Sequence, residues 1–105
     1  MADESGAATV LGAMLIIVVV VLTMGGVHLG AAVVARHRAQ ASADLAALAA
    51  AVWLPHGPAA ACRQAGAVTA AMSAALLRCD VDHLDVVIGV GVGRARAVAR
   101  AGPVR

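Results

Sequence analysis

The chain has 105 residues, of which 62% are hydrophobic and 13% are charged, and its formal net charge is +2. A globular domain has roughly 45–50% apolar residues, so this composition excludes an ordinary soluble domain over the whole length. Because no aromatic residue accompanies the C-terminal arginines, we expect a solvated basic face and no nucleic-acid partner; these residues are Arg94, Arg96, Arg100 and Arg105.

The first predicted element is a polar leader at residues 1–6, followed by an uncharged run at residues 7–35. As a helix this run would be about 43 Å long, more than the roughly 30 Å hydrocarbon core of a bilayer. We therefore expect a single transmembrane helix in contact with membrane lipid. A signal peptide cleaved after Ala32 or Ala35 is the alternative, but the acidic leader and the long apolar run depart from the signal pattern.

Residues 36–54 contain no glycine or proline and continue the helix, which we expect to run from about Ala8 to Leu54. The breaker at residues 55–58, with two prolines and a glycine, ends it. This extramembrane continuation is amphipathic with a small-residue stripe, and its larger apolar side chains recur at helical spacing with alanines beside them: Leu45, Leu48, Val52, Ala41, Ala49 and Ala50. A helix surface this rich in alanine allows the close approach of another helix or sheet. The side chains expected to face solvent are Arg38, Gln40 and Asp44.

Two features inside the apolar run could carry a function. Gly26 and Gly30 form a Gly-x-x-x-Gly pair, a spacing that brings two membrane helices together. In a segment so rich in glycine and alanine, a pair that arises by chance is the alternative. His28 lies about 32 Å along the helix from Ala7, at the far edge of the bilayer, where we expect an interfacial histidine rather than a proton relay.

The remaining residues, 55–105, predict a small α+β head. Residues 58–74 read as a helix that buries Val68 and Met72 against Ala61 and Ala65. Residues 76–81 and 84–92 read as strands joined by a turn at 82–83, because apolar side chains alternate in the second segment. Arginine and alanine alternate after it, which favours a third strand. The predicted fold class is α+β, a long transmembrane helix followed by a small helix and a two- or three-stranded antiparallel sheet.

The head contains two cysteines, Cys62 and Cys79. If its helix ends near Ser73, about 16 Å of helix after Cys62 is matched by about 16 Å of returning strand before Cys79. We expect a disulfide, which would place residues 55–105 on the oxidising side of the membrane. Two reduced, buried cysteines are one alternative. A zinc site with His56 and His83 is another, but its ligands are more loosely spaced than in structural zinc sites.

No catalytic pattern is present in the sequence. The glycines at residues 89–93 lack the Gly-x-Gly-x-x-Gly spacing of a dinucleotide site and read as positions where a neighbouring backbone approaches a strand. The chain has no Ser/His/Asp spacing, and its acids do not form a paired catalytic site. We expect no enzyme and no cofactor.

Taken together, these segments resemble a known group of proteins. The apolar helix that starts AATVLGAMLIIVVVV after Gly6, with RHRAQASADLAALAAA at residues 36–51, resembles the TadE/TadG-like pseudopilins of bacterial tight-adherence (Flp-type) pilus systems. The segments ACRQAGAVTAAMSAALLRCDVDHLDVVIGV and RARAVARAGPV resemble more closely the small actinobacterial TadE-like proteins of such secretion loci. The resemblance implies a non-enzymatic, pilin-like single-pass membrane protein that acts as a minor pseudopilin or pilus-assembly component.

The resemblance also implies partners and a processing site. A prepilin-type peptidase would cut between Gly6 and Ala7, and the exposed helix would pack with other pseudopilin or pilus-assembly subunits. Two features depart from the pattern. The fifth residue after the cut is Leu11, where such proteins usually have a glutamate, and the leader lacks basic residues.

The sequence gives conflicting indications of membrane orientation. Acids precede the helix and Arg36, His37 and Arg38 follow it, which by the charge rule favours a cytoplasmic C-terminal part. The cysteine pair and the resemblance favour an extracytoplasmic head at the cell membrane, which is our expectation. The alternatives are a small secreted effector or ligand released from its N-terminal apolar segment, and an anchored cytoplasmic partner protein.

Overall fold

A computed structural model describes residues 2–103, and Arg105 of the predicted basic face lies outside these residues. The elements in chain order are α1 (Ala2–Trp53), a 3-10 turn (Leu54–His56), α2 (Pro58–Ala71), β1 (Ala75–Asp82), β2 (Asp85–Val92) and β3 (Ala95–Ala101). The predicted α+β class is confirmed. Contacts divide the chain into two units, an N-terminal unit up to Ala31 and a head unit that starts at Ala32.

The N-terminal unit is the first part of α1. The helix begins at Ala2 rather than near Ala8, so the described part of the predicted leader is helical. Asp3 and Glu4 lie in the first turn, where the positive end of the helix dipole favours acidic side chains. The large apolar side chains that follow are exposed around the helix, including Leu15 at 66% and Leu22 at 69%. Among the described residues, α1 is the one helix long and apolar enough to cross a membrane.

The head unit contains a three-stranded antiparallel sheet in the order β1-β2-β3. Asp82 pairs with Asp85, so the first loop consists of His83 and Leu84 and lies one residue later than predicted. Its first residue has a left-handed backbone, with φ of 55°. The second loop begins at Gly93, with φ of 59°, a conformation that glycine adopts without steric cost. The third strand expected from the arginine and alanine alternation is confirmed as β3.

The core of the head joins the central strand to the two helices. Val86, Ile88 and Val90 of β2 are fully buried, as their alternation predicted. The helices contribute small side chains to the same cluster: Ala43, Ala46, Ala47, Ala50, Ala61 and Ala65. Bulk therefore comes from the sheet, and the small helix side chains let both helices pack close to it.

The prediction of which face of α1 is apolar and buried after residue 35 is wrong. Leu45, Leu48 and Val52 are 50%, 59% and 72% exposed. The buried face is a stripe of small residues at helical spacing: Ala39, Ser42, Ala43, Ala46, Ala47 and Ala50. The reason is steric, because the valines and isoleucine of β2 already fill the space that leucines would need. Arg38, Gln40 and Asp44 are exposed, as expected.

The second helix is shorter than predicted and has a slightly different buried face. It ends at Ala71, before Ser73 adopts a left-handed backbone with φ of 55°. Its buried residues are Ala61, Ala65 and Thr69, whereas Val68 and Met72 are only partly buried. The Thr69 hydroxyl donates to the Gly66 carbonyl at 3.0 Å, which satisfies this buried polar group within the helix.

Candidate assembly surface

A disulfide between Cys62 and Cys79 fastens α2 to β1. The two Cα atoms lie 5.9 Å apart, and both residues are partly buried. The bond joins the first half of α2 to the middle of the strand that returns along it, which is the arrangement that the matched helix and strand lengths predict. Since both sulfur atoms are used in this bond, neither is available as a zinc ligand. The described part of the chain gathers no group of three or more His, Cys, Asp or Glu side chains that could hold a metal ion.

A second contact, at the C-terminal end of α2, comes from α1. The Arg38 guanidinium donates to the Met72 carbonyl at 2.9 Å. This carbonyl follows the last turn of α2, where backbone acceptors lack partners within the helix. Ser42 also lies against Met72, with its hydroxyl 3.5 Å from the sulfur. The C-terminal end of α2 is therefore held by α1, and its first half is held by the disulfide.

Gly26 and Gly30 belong to the N-terminal unit and lie one helical turn apart, so they share a face of α1. A Cβ atom built at either position meets nothing within 4 Å. Packing within one chain therefore does not require glycine at these positions. Both positions leave the surface of α1 open to close approach.

The candidate cleavage site, Gly6–Ala7, lies in the first turns of α1. Both residues are exposed, and a Cβ at Gly6 would meet no other atom within 4 Å. Leu11, five residues after the predicted cut, is 70% exposed. Among the predicted site residues that the structure describes, Cys62 and Cys79 are brought together from separate elements.

The sequence analysis missed an exposed apolar strip on the head. Leu45, Leu48, Val52 and Trp53 of α1 line a shallow groove of about 470 Å³ together with Ala49 and Val68. The Trp53 ring lies 5.0 Å from the His56 ring, beside the helix end. Contiguous exposed apolar side chains commonly mark interaction surfaces. The recurrence of alanine and serine at residues 39–50 was the signal that the leucines occupy the outer face.

Within residues 3–103, the N-terminal part of α1 exposes its large apolar side chains, and a small disulfide-bonded head follows it in the chain. Residues 6–52 match the model of the Tad family, Flp pilus-assembly TadE/G-like proteins. The matched segment covers most of α1, from the candidate cleavage site to residue 52. The TadE/G-like resemblance is therefore confirmed for this segment.

A curated relative also matches part of this chain. The chain is 61% identical over 54 residues to "Apoptosis inhibitor Rv3654c" of Mycobacterium tuberculosis (strain ATCC 25618 / H37Rv). The match covers 51% of this chain and 64% of that protein, so the chain spans less than two thirds of its relative. This similarity is consistent with the predicted resemblance to the small actinobacterial TadE-like proteins. No solved structure matches the chain significantly.

Proposed function

We propose that this protein is a single-pass minor pseudopilin, or an assembly component, of a tight-adherence type IV pilus or secretion system. The observation that carries the proposal is the coincidence of two independent features. The TadE/G-like match at residues 6–52 includes the N-terminal part of α1, whose large apolar side chains are exposed. The family is one of assembly proteins rather than enzymes, and contacts between helices and with lipid would account for the exposed surface.

The proposed contacts use two surfaces. In the membrane, the face of Gly26 and Gly30 would pack against another pilus-assembly subunit, because glycine lets two helix backbones approach closely. In the head, the strip that contains Leu45 and Leu48 would extend this packing beyond the membrane. A prepilin-type peptidase would supply the mature N-terminus by cutting after Gly6. These partners are part of the proposal.

The proposed orientation puts the head outside the cytoplasm. A disulfide persists in oxidising compartments, and Cys62 is bonded to Cys79 in the structure. The charge rule points the other way, because arginines follow the membrane segment. The covalent bond outweighs this indication, because two or three flanking charges bias insertion only weakly.

Complementation with glycine variants tests the pseudopilin role. In cells that lack the chromosomal copy, the double variant Gly26→Leu/Gly30→Leu should reach wild-type levels in the membrane but fail to restore surface pili. The matched control is Gly25→Leu, since Gly25 also contacts nothing within 4 Å but points about 100° away around the helix. Restoration of pili by the double variant, or equal loss in the control, would contradict the packing role. Normal piliation in cells without the protein would contradict the function itself.

A second candidate function is a secreted effector released from the N-terminal segment. Two observations favour it: the relative bears the name apoptosis inhibitor, and every residue of the head core lies beyond Ala35. A cut near residue 35 would therefore leave the core and the disulfide intact. Mass spectrometry of the N-terminus separates the two functions. A chain that starts at Ala7 supports the pseudopilin, and one that starts near Arg36 supports release.

A further inference from the structure

The head unit has a basic groove close to its first residues. Arg36, His37 and Gln40 of α1 and Arg96 of β3 line it, with Val33 and Ala97 completing a volume of about 410 Å³. The side chains of Arg36, His37 and Arg96 are exposed. Sixty residues of sequence separate the two arginines, and the antiparallel return of β3 places them on one groove.

The groove lacks acidic side chains. Asp44 is the nearest acid along α1, two turns beyond Arg36, and it accepts a hydrogen bond of 3.0 Å from the Gln40 amide. The acids of the sheet are occupied elsewhere: Asp80 pairs with Arg78, and Asp82 and Asp85 lie within 4 Å of Arg100. Within residues 3–103, no ion pair involves Arg36 or Arg96. The fold therefore leaves two guanidinium groups on one groove without a counter-charge.

The position of Arg36 in the sequence indicates the depth at which this groove would lie relative to a membrane. Arg36 is the first residue after the uncharged run at residues 7–35. That run is about 43 Å long as a helix, close to the 40–45 Å of a bilayer with its headgroups. If the run spans the membrane, Arg36 and His37 lie in the headgroup layer, and Arg96 is held beside them.

We propose that this groove binds the phosphate headgroup of an anionic membrane lipid. Guanidinium groups donate paired hydrogen bonds to phosphate oxygens, and two of them on separate elements can grip one phosphate from both sides. Val33 and Ala97 offer apolar contact to the adjoining glycerol and acyl chain. The inference rests on the proposed membrane span but is independent of pilus assembly.

Lipid binding to the purified full-length chain in detergent, measured by native mass spectrometry, tests this site. The probes are phosphatidylglycerol and, as the zwitterionic reference, phosphatidylcholine. Each arginine near an anionic lipid contributes about fivefold in affinity, so Arg36→Gln/Arg96→Gln should weaken phosphatidylglycerol binding about 25-fold. The affinity of the double variant for phosphatidylglycerol should then match its affinity for phosphatidylcholine. Both side chains are exposed, so the substitutions should leave the head folded, which the intact disulfide and the circular dichroism spectrum would verify.

The control variant is Arg63→Gln, which removes one exposed positive charge from α2 outside the groove. It should retain the wild-type preference for phosphatidylglycerol. Unchanged binding in the double variant, or an equal loss in the control, would overturn the proposal. Binding of inorganic phosphate as tight as that of phosphatidylglycerol, and lost in the same double variant, would overturn the lipid assignment in favour of free phosphate. Failure of the chain to float with phosphatidylcholine liposomes would instead reject the membrane role on which the site depends.

Discussion

Reduction of the disulfide should loosen the centre of the head by a measurable amount. Cys62 and Cys79 are 17 residues apart, and a bridge that closes a loop of this length stabilises a fold by about 3 kcal/mol. The helices contribute mainly alanine to the core, so packing alone stabilises the head only weakly once the disulfide is reduced. A loss of about 3 kcal/mol corresponds to opening that is on the order of a hundredfold more frequent. The backbone amides of β2, which pairs with β1 on one side and with β3 on the other, should therefore exchange faster.

Hydrogen exchange of the full-length chain in detergent, read on a peptide that covers residues 85–92, measures this opening. We expect exchange to accelerate on the order of a hundredfold after addition of dithiothreitol, in line with about 3 kcal/mol. The variant Cys62→Ser/Cys79→Ser should exchange quickly with and without the reductant. Equal exchange rates in the oxidised and reduced wild type, with reduction verified by alkylation, would refute the reasoning.

The remaining predictions concern the faces of α1 and the position of the head. Ala46→Leu should destabilise the head by about 1–3 kcal/mol through overpacking, whereas Leu48→Ala should change the urea midpoint of the head little. A larger loss of stability in Leu48→Ala than in Ala46→Leu would show that the leucine face is the one buried in the core. In membranes treated with an oxidant, Thr23→Cys on the glycine face should cross-link two copies more readily than Val21→Cys on the opposite face, and equal yields would argue against a specific interface. A membrane-impermeant maleimide should label the exposed position Val98→Cys in intact cells, and labelling only after lysis would place the head inside.

Much of the fold was predictable from local pattern. The uncharged run and the absence of helix breakers before Pro55 predicted the single helix α1, and the alternation in β2 predicted the buried faces of Val86 and Ile88. The equal lengths of helix and returning strand predicted the approach of Cys62 to Cys79. These features depend on periodicity and chain length alone, which can be read from one sequence.

The features that were missed depend on complementarity between distant segments. Helical spacing shows that Leu45 and Leu48 share a face, but it does not show that β2 fills the core and leaves room only for alanine. Likewise, Arg36 and Arg96 read as unrelated solvated charges until β3 returns to the start of the head. The room that is left for a side chain, and the distance between two charges that are sixty residues apart in the sequence, are set by how the chain packs.

The intact mass of the protein in alkali-washed membranes tests the central claim most directly, namely a membrane-held helix that carries a disulfide-bonded head. The claim predicts that the chain stays in the pellet and has a mass lower by two hydrogens than the reduced form. Recovery in the supernatant, or a membrane-bound chain with two free thiols, would contradict it.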